Sequence, residues 1–220
     1  MTEQEGNENV LQKITDMQSK ARGYCDWIRS NVKQDKRSLI LHNLLSGCLP
    51  YLELVRSNPS YDHIQVIALS TRSIFEIDVR LRHVLKSEEN LNLWGIELLK
   101  DELELIDSVL GLVTPNTNKD AINELLTYKT HIHNALNKNG FSVPPKRPRI
   151  SDLAKDAGLE VEYNALSKLS SKLLHPTSYS LNGKKQNIYC IETYNILITG
   201  LQNHFVYIME RIRKEFNISI

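Results

Sequence analysis

Apolar residues recur every three or four positions over most of this 220-residue chain, and that period leaves it little to fold into except helices packed on one another. Val10, Ile14, Met17, Ala21, Tyr24 and Ile28 form the first such stripe and predict a helix over about residues 8 to 33. The run from Leu39 to Val55 has helical length but contains Pro50. Proline removes a backbone donor and crowds the preceding turn, so a kink or break is expected there. Asn58-Pro59-Ser60 marks a turn, after which Ser60 or Asp62 caps a helix to about Lys86. Apolar residues cover most of that helix's circumference, which places it at the centre of a bundle. Further helices are expected from Ser87 to Val113, Lys119 to Lys138, Ser151 to Gly158, Val161 to Leu174 and Ile191 to Phe216. In the last of these, Ile196, Leu197, Leu201, Phe205, Ile208 and Ile212 read as the buried stripe. Residues 141 to 150 hold three prolines and predict an extended linker or surface loop. Thr177 to Asn187, with Asn182-Gly183, reads as a loop or small hairpin. Strand patterns are nearly absent. The expected fold is all-α, one domain over residues 1–220, a helical bundle of about seven helices.

Composition narrows the function classes. Hydrophobic residues make up 41% and charged residues 24%, enough to bury a sizeable core. A formal charge of +1 gives no global reason to expect a nucleic-acid or membrane partner. The charge is uneven, however. Ser87 to Asp107 carries seven acids against Lys100 alone, whereas Lys129 to Arg149 has five bases and no acid. Tyr163 to Ile191 again lacks acids and holds Lys168, Lys172, Lys184 and Lys185, so local basic surfaces keep RNA open as a partner class. Cys25, Cys48 and Cys190 are far apart and odd in number, which fits structural thiols in a reducing, cytoplasmic setting. Residues 1 to 9 are polar and acidic, and no stretch of ~18 uncharged apolar residues occurs, so neither an export signal nor a membrane span is expected.

Two constellations could carry chemistry. On the central helix, Arg72, Glu76, Arg80 and His83 fall in one strip about 80° wide, with Arg72–Glu76 and Glu76–Arg80 at pairing distance. A second polar line, Thr71, Asp78 and Arg82, interrupts the otherwise apolar side. Buried charge is costly unless paired, so these groups either hold the bundle in register or line a wet cleft with Arg72 ready for an anion. The second constellation runs from Tyr163 to His175-Pro176. Leu166, Leu169 and Leu173 form its buried stripe, and Lys168, Ser171, Lys172 and His175 share the opposite face. A histidine in the last turn beside cations suits phosphodiester chemistry, because the imidazole moves protons while the cations neutralise phosphate. The same pattern also describes a solvated face with a capping histidine. Metal and cofactor signals are missing: the rings of His131 and His133 point about 160° apart on a helix, and no zinc, phosphate-loop, dinucleotide or nucleophile-elbow motif is present.

Arg72-Ser73-Ile74-Phe75-Glu76, followed by Tyr163-Asn164-Ala165-Leu166-Ser167 and His175-Pro176, resembles the pattern of a group of bacterial all-helical proteins of uncharacterised activity. More distantly the arrangement is similar to HEPN domains, helical modules of toxin–antitoxin and phage-defence systems. Active members are metal-independent ribonucleases with four to six residues between an arginine and the histidine that follows it. The histidine matches His175; the arginine position falls on Lys168, Leu169 or Ser170, none of them arginine. The resemblance therefore implies first a helical interaction or regulatory module of a stress or defence system, with a protein partner or a homodimer. Its alternative is a ribonuclease in which His175 is the general acid/base, Arg72 and Lys172 hold phosphate, and Glu76 orients Arg72. No cofactor or metal is expected in either.

Overall fold

A computed structural model describes residues 3–114, 116–141, 146, 148–175 and 191–219. Its elements, in order, are α1 (Glu3–Asn31), α2 (Lys36–Ser46), α3 (Leu49–Ser57), a 3-10 turn (Tyr61–His63), α4 (Ile64–Val84), α5 (Glu88–Leu110), α6 (Lys119–Lys138), α7 (Ile150–Asp156), α8 (Glu160–Leu174) and α9 (Ile191–Phe216). The protein is all-α, as the apolar period requires, with no strand among the described residues. The loop expected over 177–187 and much of that over 141–150 lie outside the described residues.

The ends of these helices are set by local chemistry. Before α2, the Asp35 carboxylate accepts the Ser38 N–H at 2.9 Å, and the Ser38 hydroxyl oxygen accepts the Asp35 N–H at 2.9 Å. This reciprocal cap satisfies two donors that the first turn would otherwise leave unpaired. The break expected near Pro50 falls at Gly47-Cys48, and Pro50 sits in the first turn of α3, where its missing N–H costs no hydrogen bond. Taken as one run, residues 36–57 are long and apolar enough to cross a membrane by length and composition alone. Half of that window is buried, and Leu41, Leu45, Cys48, Leu52 and Val55 are core residues.

The chain forms two compact units. One holds Met1–His83 and Ile150–Ile220, and the other Val84–Arg149. In the first, α1 packs on α2, α3 and α9, and α7 packs on α8. Ile64, Ile67, Ala68, Ile74, Phe75, Val79 and Leu81 of α4 are all buried, the all-round burial its sequence predicts. Cys25 and Cys48 are free thiols. Burial pushes both up in pKa and keeps them protonated. One residue of the α9 stripe is misplaced: Ile196 is 59% exposed. It lies about 140° around the helix from the centre of the Leu197, Leu201, Phe205, Ile208 and Ile212 face. Tyr194, Ile198, His204 and Met209 are buried instead.

α4 and α9 meet closely at Thr71. Its hydroxyl oxygen lies 2.8 Å from the Ile67 carbonyl one turn back and 3.1 Å from the Leu197 carbonyl of α9. Thr71→Val keeps the shape and removes the donor at this buried crossing. It is expected to lower stability in urea unfolding by about 1 kcal/mol.

In the second unit, α5 and α6 form a helical hairpin. Ile96, Leu103 and Ile106 pack with Ile132 and Leu136, and Leu99, Leu110, Leu125 and Phe141 close the edges. Ser87 caps α5 by accepting the Asn90 N–H at 3.1 Å.

Candidate functional site

The polar strip of α4 divides into two lines with different fates. Arg72 Nε donates to Glu76 at 3.0 Å, and Arg80 donates to the other Glu76 oxygen at 3.5 Å. All three are partly exposed, with side chains 33%, 22% and 25% open for Arg72, Arg80 and Glu76. The second line, Thr71, Asp78 and Arg82, lies about 130° away around the helix and faces α9. The buried charge is here.

Asp78 has no solvent exposure. Arg82, one turn along α4, grips its carboxylate with two guanidinium nitrogens, Nε at 3.1 Å and Nη2 at 2.9 Å. From α9, His204 Nδ1 stands 3.0 Å from one oxygen, and Arg211 Nη1 donates to the other at 3.4 Å. Burial pushes the Asp78 carboxyl up. The hydrogen bonds from His204 and Arg82 and the fields of both guanidiniums outweigh it and hold the group below the usual carboxylate range. Asp78 is therefore ionised near neutrality and can only accept, so His204 Nδ1 carries the proton that joins them. That bond fixes the ring's orientation and leaves Nε2 as its other, exchangeable position.

Aromatic rings wall in this cluster. Phe75 meets His204 edge to face with centroids 4.7 Å apart. Tyr207 stands between the two arginines, 5.7 Å from Arg82 and 5.9 Å from Arg211, within cation–π range of both. Arg211 also donates to the Tyr207 carbonyl at 3.1 Å.

The cluster forms one end of a groove of about 820 Å³ between α8 and α9. Glu162, Ala165 and Leu166 line its α8 side. Its α9 side is Asn195, Thr199, Asn203, Tyr207 and Arg211, each four residues from the next, with His204 and Arg82 beside them. A smaller hollow of about 280 Å³ is lined by Gln18, Arg22, Glu53 and Arg56. There Glu53 is already taken by hydrogen bonds from Arg56 and Gln18, which hold it at about 2. That hollow has the character of a satisfied surface pair.

The expected set of His175, Arg72, Glu76 and Lys172 is placed as follows. Arg72 and Glu76 are paired on α4. Lys172 lies in the last turn of α8 and is exposed, and His175 caps that helix, its backbone N–H donating to the Ser171 carbonyl at 3.2 Å. Ser170 of α8 contacts the Ala68 carbonyl at 3.4 Å, while Tyr163 faces Phe75 with ring centroids 6.4 Å apart, so α8 runs antiparallel to α4. His175 is five residues beyond Ser170 and Arg72 four residues beyond Ala68, in opposite directions. The two positions are thus staggered by about 13 Å along the helix axes. Only fully extended side chains leaning toward each other would span that gap. Sequence reasoning picked out Asp78 and Arg82 but missed His204, Tyr207 and Arg211. For Tyr207 and Arg211 the available signal was the four-residue polar ladder from Asn195 to Arg211; His204 lies off that ladder, within the apolar stripe of the same helix.

Compared with known family models, with curated proteins and with solved structures, the chain matches none, so the chemistry of the groove rests on its own residues.

Proposed function

We propose that the chain is a helical regulatory module that binds a phosphate ester of nucleotide size in the α8–α9 groove. The observation that carries this reading is the Asp78 cluster. One carboxylate is shared by two guanidiniums and an imidazole, so the cluster itself carries an excess of positive charge, with Glu162 across the groove on α8. The side chains of Arg82 and Arg211 are 19% and 30% exposed and both line the groove, which is where an anion would meet them. The remaining lining suits the rest of such a ligand: Leu166 and Ile196 for a planar ring, Asn195 and Asn203 for its polar edge, and Glu162 for sugar hydroxyls. The volume lies within the range of small-ligand clefts.

Calorimetric titration with nucleoside monophosphates, inorganic phosphate and unphosphorylated nucleosides tests this. The monophosphates should bind tightest, and Arg211→Ala or Asn203→Ala should each weaken binding by roughly 10-fold or more. Equal affinity for nucleosides and nucleotides, or binding unaffected by both substitutions, would remove the groove as a phosphate site.

The 3.0 Å contact between Asp78 and His204 favours a second reading, acid–base chemistry on a phosphodiester. A carboxylate that holds an imidazole in one orientation and one tautomer is what a histidine general base needs. In the ribonuclease alternative His204 would then move the proton, with Arg82 and Arg211 at the phosphate. Incubation with RNA in EDTA separates the candidates. His204→Gln abolishes cleavage if the groove is the site; His175→Ala does so if the end of α8 is. The absence of any cleavage leaves the binding role alone.

A further inference from the structure

α5 has two apolar faces. Ile96, Leu103 and Ile106 pack against α6. The other face runs through Leu98, Leu105, Val109 and Leu112, which are 60%, 66%, 42% and 80% exposed. These four fall within roughly 60° of arc, centred some 130° from the first face. Leu112 continues the line past the helix end because Gly111 keeps helical dihedrals, φ −65 and ψ −18. Leu98, Leu105 and Leu112 are seven residues apart, the spacing of a seam between two wound helices. From those exposures the four residues present roughly 450 Å², most of it apolar, within the range of a lone protein's largest patch and about half of the roughly 800 Å² each partner buries in a stable pair.

We propose that two copies of the chain associate through this face, α5 against α5, antiparallel and centred on Leu105. Charge selects this arrangement. α5 is acidic, and a parallel pairing would set Glu102 against Glu102 of the second copy. An antiparallel pairing that brings Leu98 to Leu105 would set Asp101 against Glu102. Centring on Leu105 brings Leu98 to Leu112 and places Asp101 and Glu102 opposite Val109 and Ser108, so no like charges meet. Glu102 is also drawn toward α6 by the Tyr128 hydroxyl, which donates to it. This contact is independent of the α8–α9 groove.

Light scattering across a concentration series tests the association, with oxidative cross-linking in a Cys190→Ser background to test the register. The full chain should approach twice its 25.3 kDa mass. Leu105→Glu should weaken association by roughly 100-fold or more while leaving the helical circular dichroism unchanged. Leu105→Cys should cross-link to itself, and Leu98→Cys should cross-link only when mixed with Leu112→Cys. A wild-type chain that stays at 25.3 kDa, including one whose α5 face is covered by a different protein, overturns the proposal. So does a dimer indifferent to Leu105→Glu, or self-cross-linking of Leu98→Cys alone.

Discussion

Asp78→Ala should unfold the first unit more readily than any other single polar substitution, lowering its stability by about 3–5 kcal/mol. The reason lies in what the change leaves behind. Arg82 and Arg211 would keep their charges in a half-buried wall, and His204, itself buried, would lose the acceptor for its Nδ1 proton. Removing one partner of a buried network costs more than the network contributes, because the remaining charges are still out of water. For a chain of this length such a loss corresponds to roughly 10 °C or more in Tm. Asp78→Asn keeps the volume and discards the charge, so it should recover only part of the loss. The pH dependence has a definite sign. The folded Asp78 carboxyl is held below its ordinary value, so its contribution is fully present above the unfolded carboxylate value of about 3.9 and is lost as pH falls through the folded value. The gap between wild type and Asp78→Asn in urea unfolding should therefore be present at about pH 5 and close as pH falls below about pH 4. A gap that persists unchanged well below about pH 4 would mean that the folded carboxyl is not held below its ordinary value.

The helices were legible because each depends on signals a few residues apart. The boundaries of α6, α8 and α9 follow from Asn139-Gly140, from Pro176 and from unbroken apolar periods, all readable in order along the chain. The Arg72–Glu76–Arg80 pairing was legible for the same reason, since helix geometry alone brings residues four apart together. The groove was only half legible. Asp78 and Arg82 stand out as charges on an apolar face, but the partners that make them a site come from residues 204 and 211, more than a hundred positions away. Helix periodicity says which face His204 occupies; it does not say which helix that face meets. The leucine line of α5 was hidden differently. Its residues look like ordinary core until α6 is seen to occupy the other side.

Phe75→Ala should produce the second large loss, about 3–5 kcal/mol, and should also loosen the site. Phe75 is 1% exposed, and its ring stands against His204 on one side and Tyr163 on the other. Truncation removes its packing and leaves a void that helices fixed by their other contacts close only in part. The same void admits water beside the Asp78–His204 pair. A hydrogen bond that is strong because its surroundings are dry then competes with solvent. The effect has a signature that simple destabilisation lacks. In native-condition NMR the His204 Nδ1 proton should be protected from exchange in the wild type and exchange quickly in Phe75→Ala. Phe75→Leu, which keeps most of the volume, should retain that protection and cost less. A protected proton in folded Phe75→Ala would show that Asp78 and the arginines hold His204 without the aromatic wall, and Phe75 would then matter to the core alone.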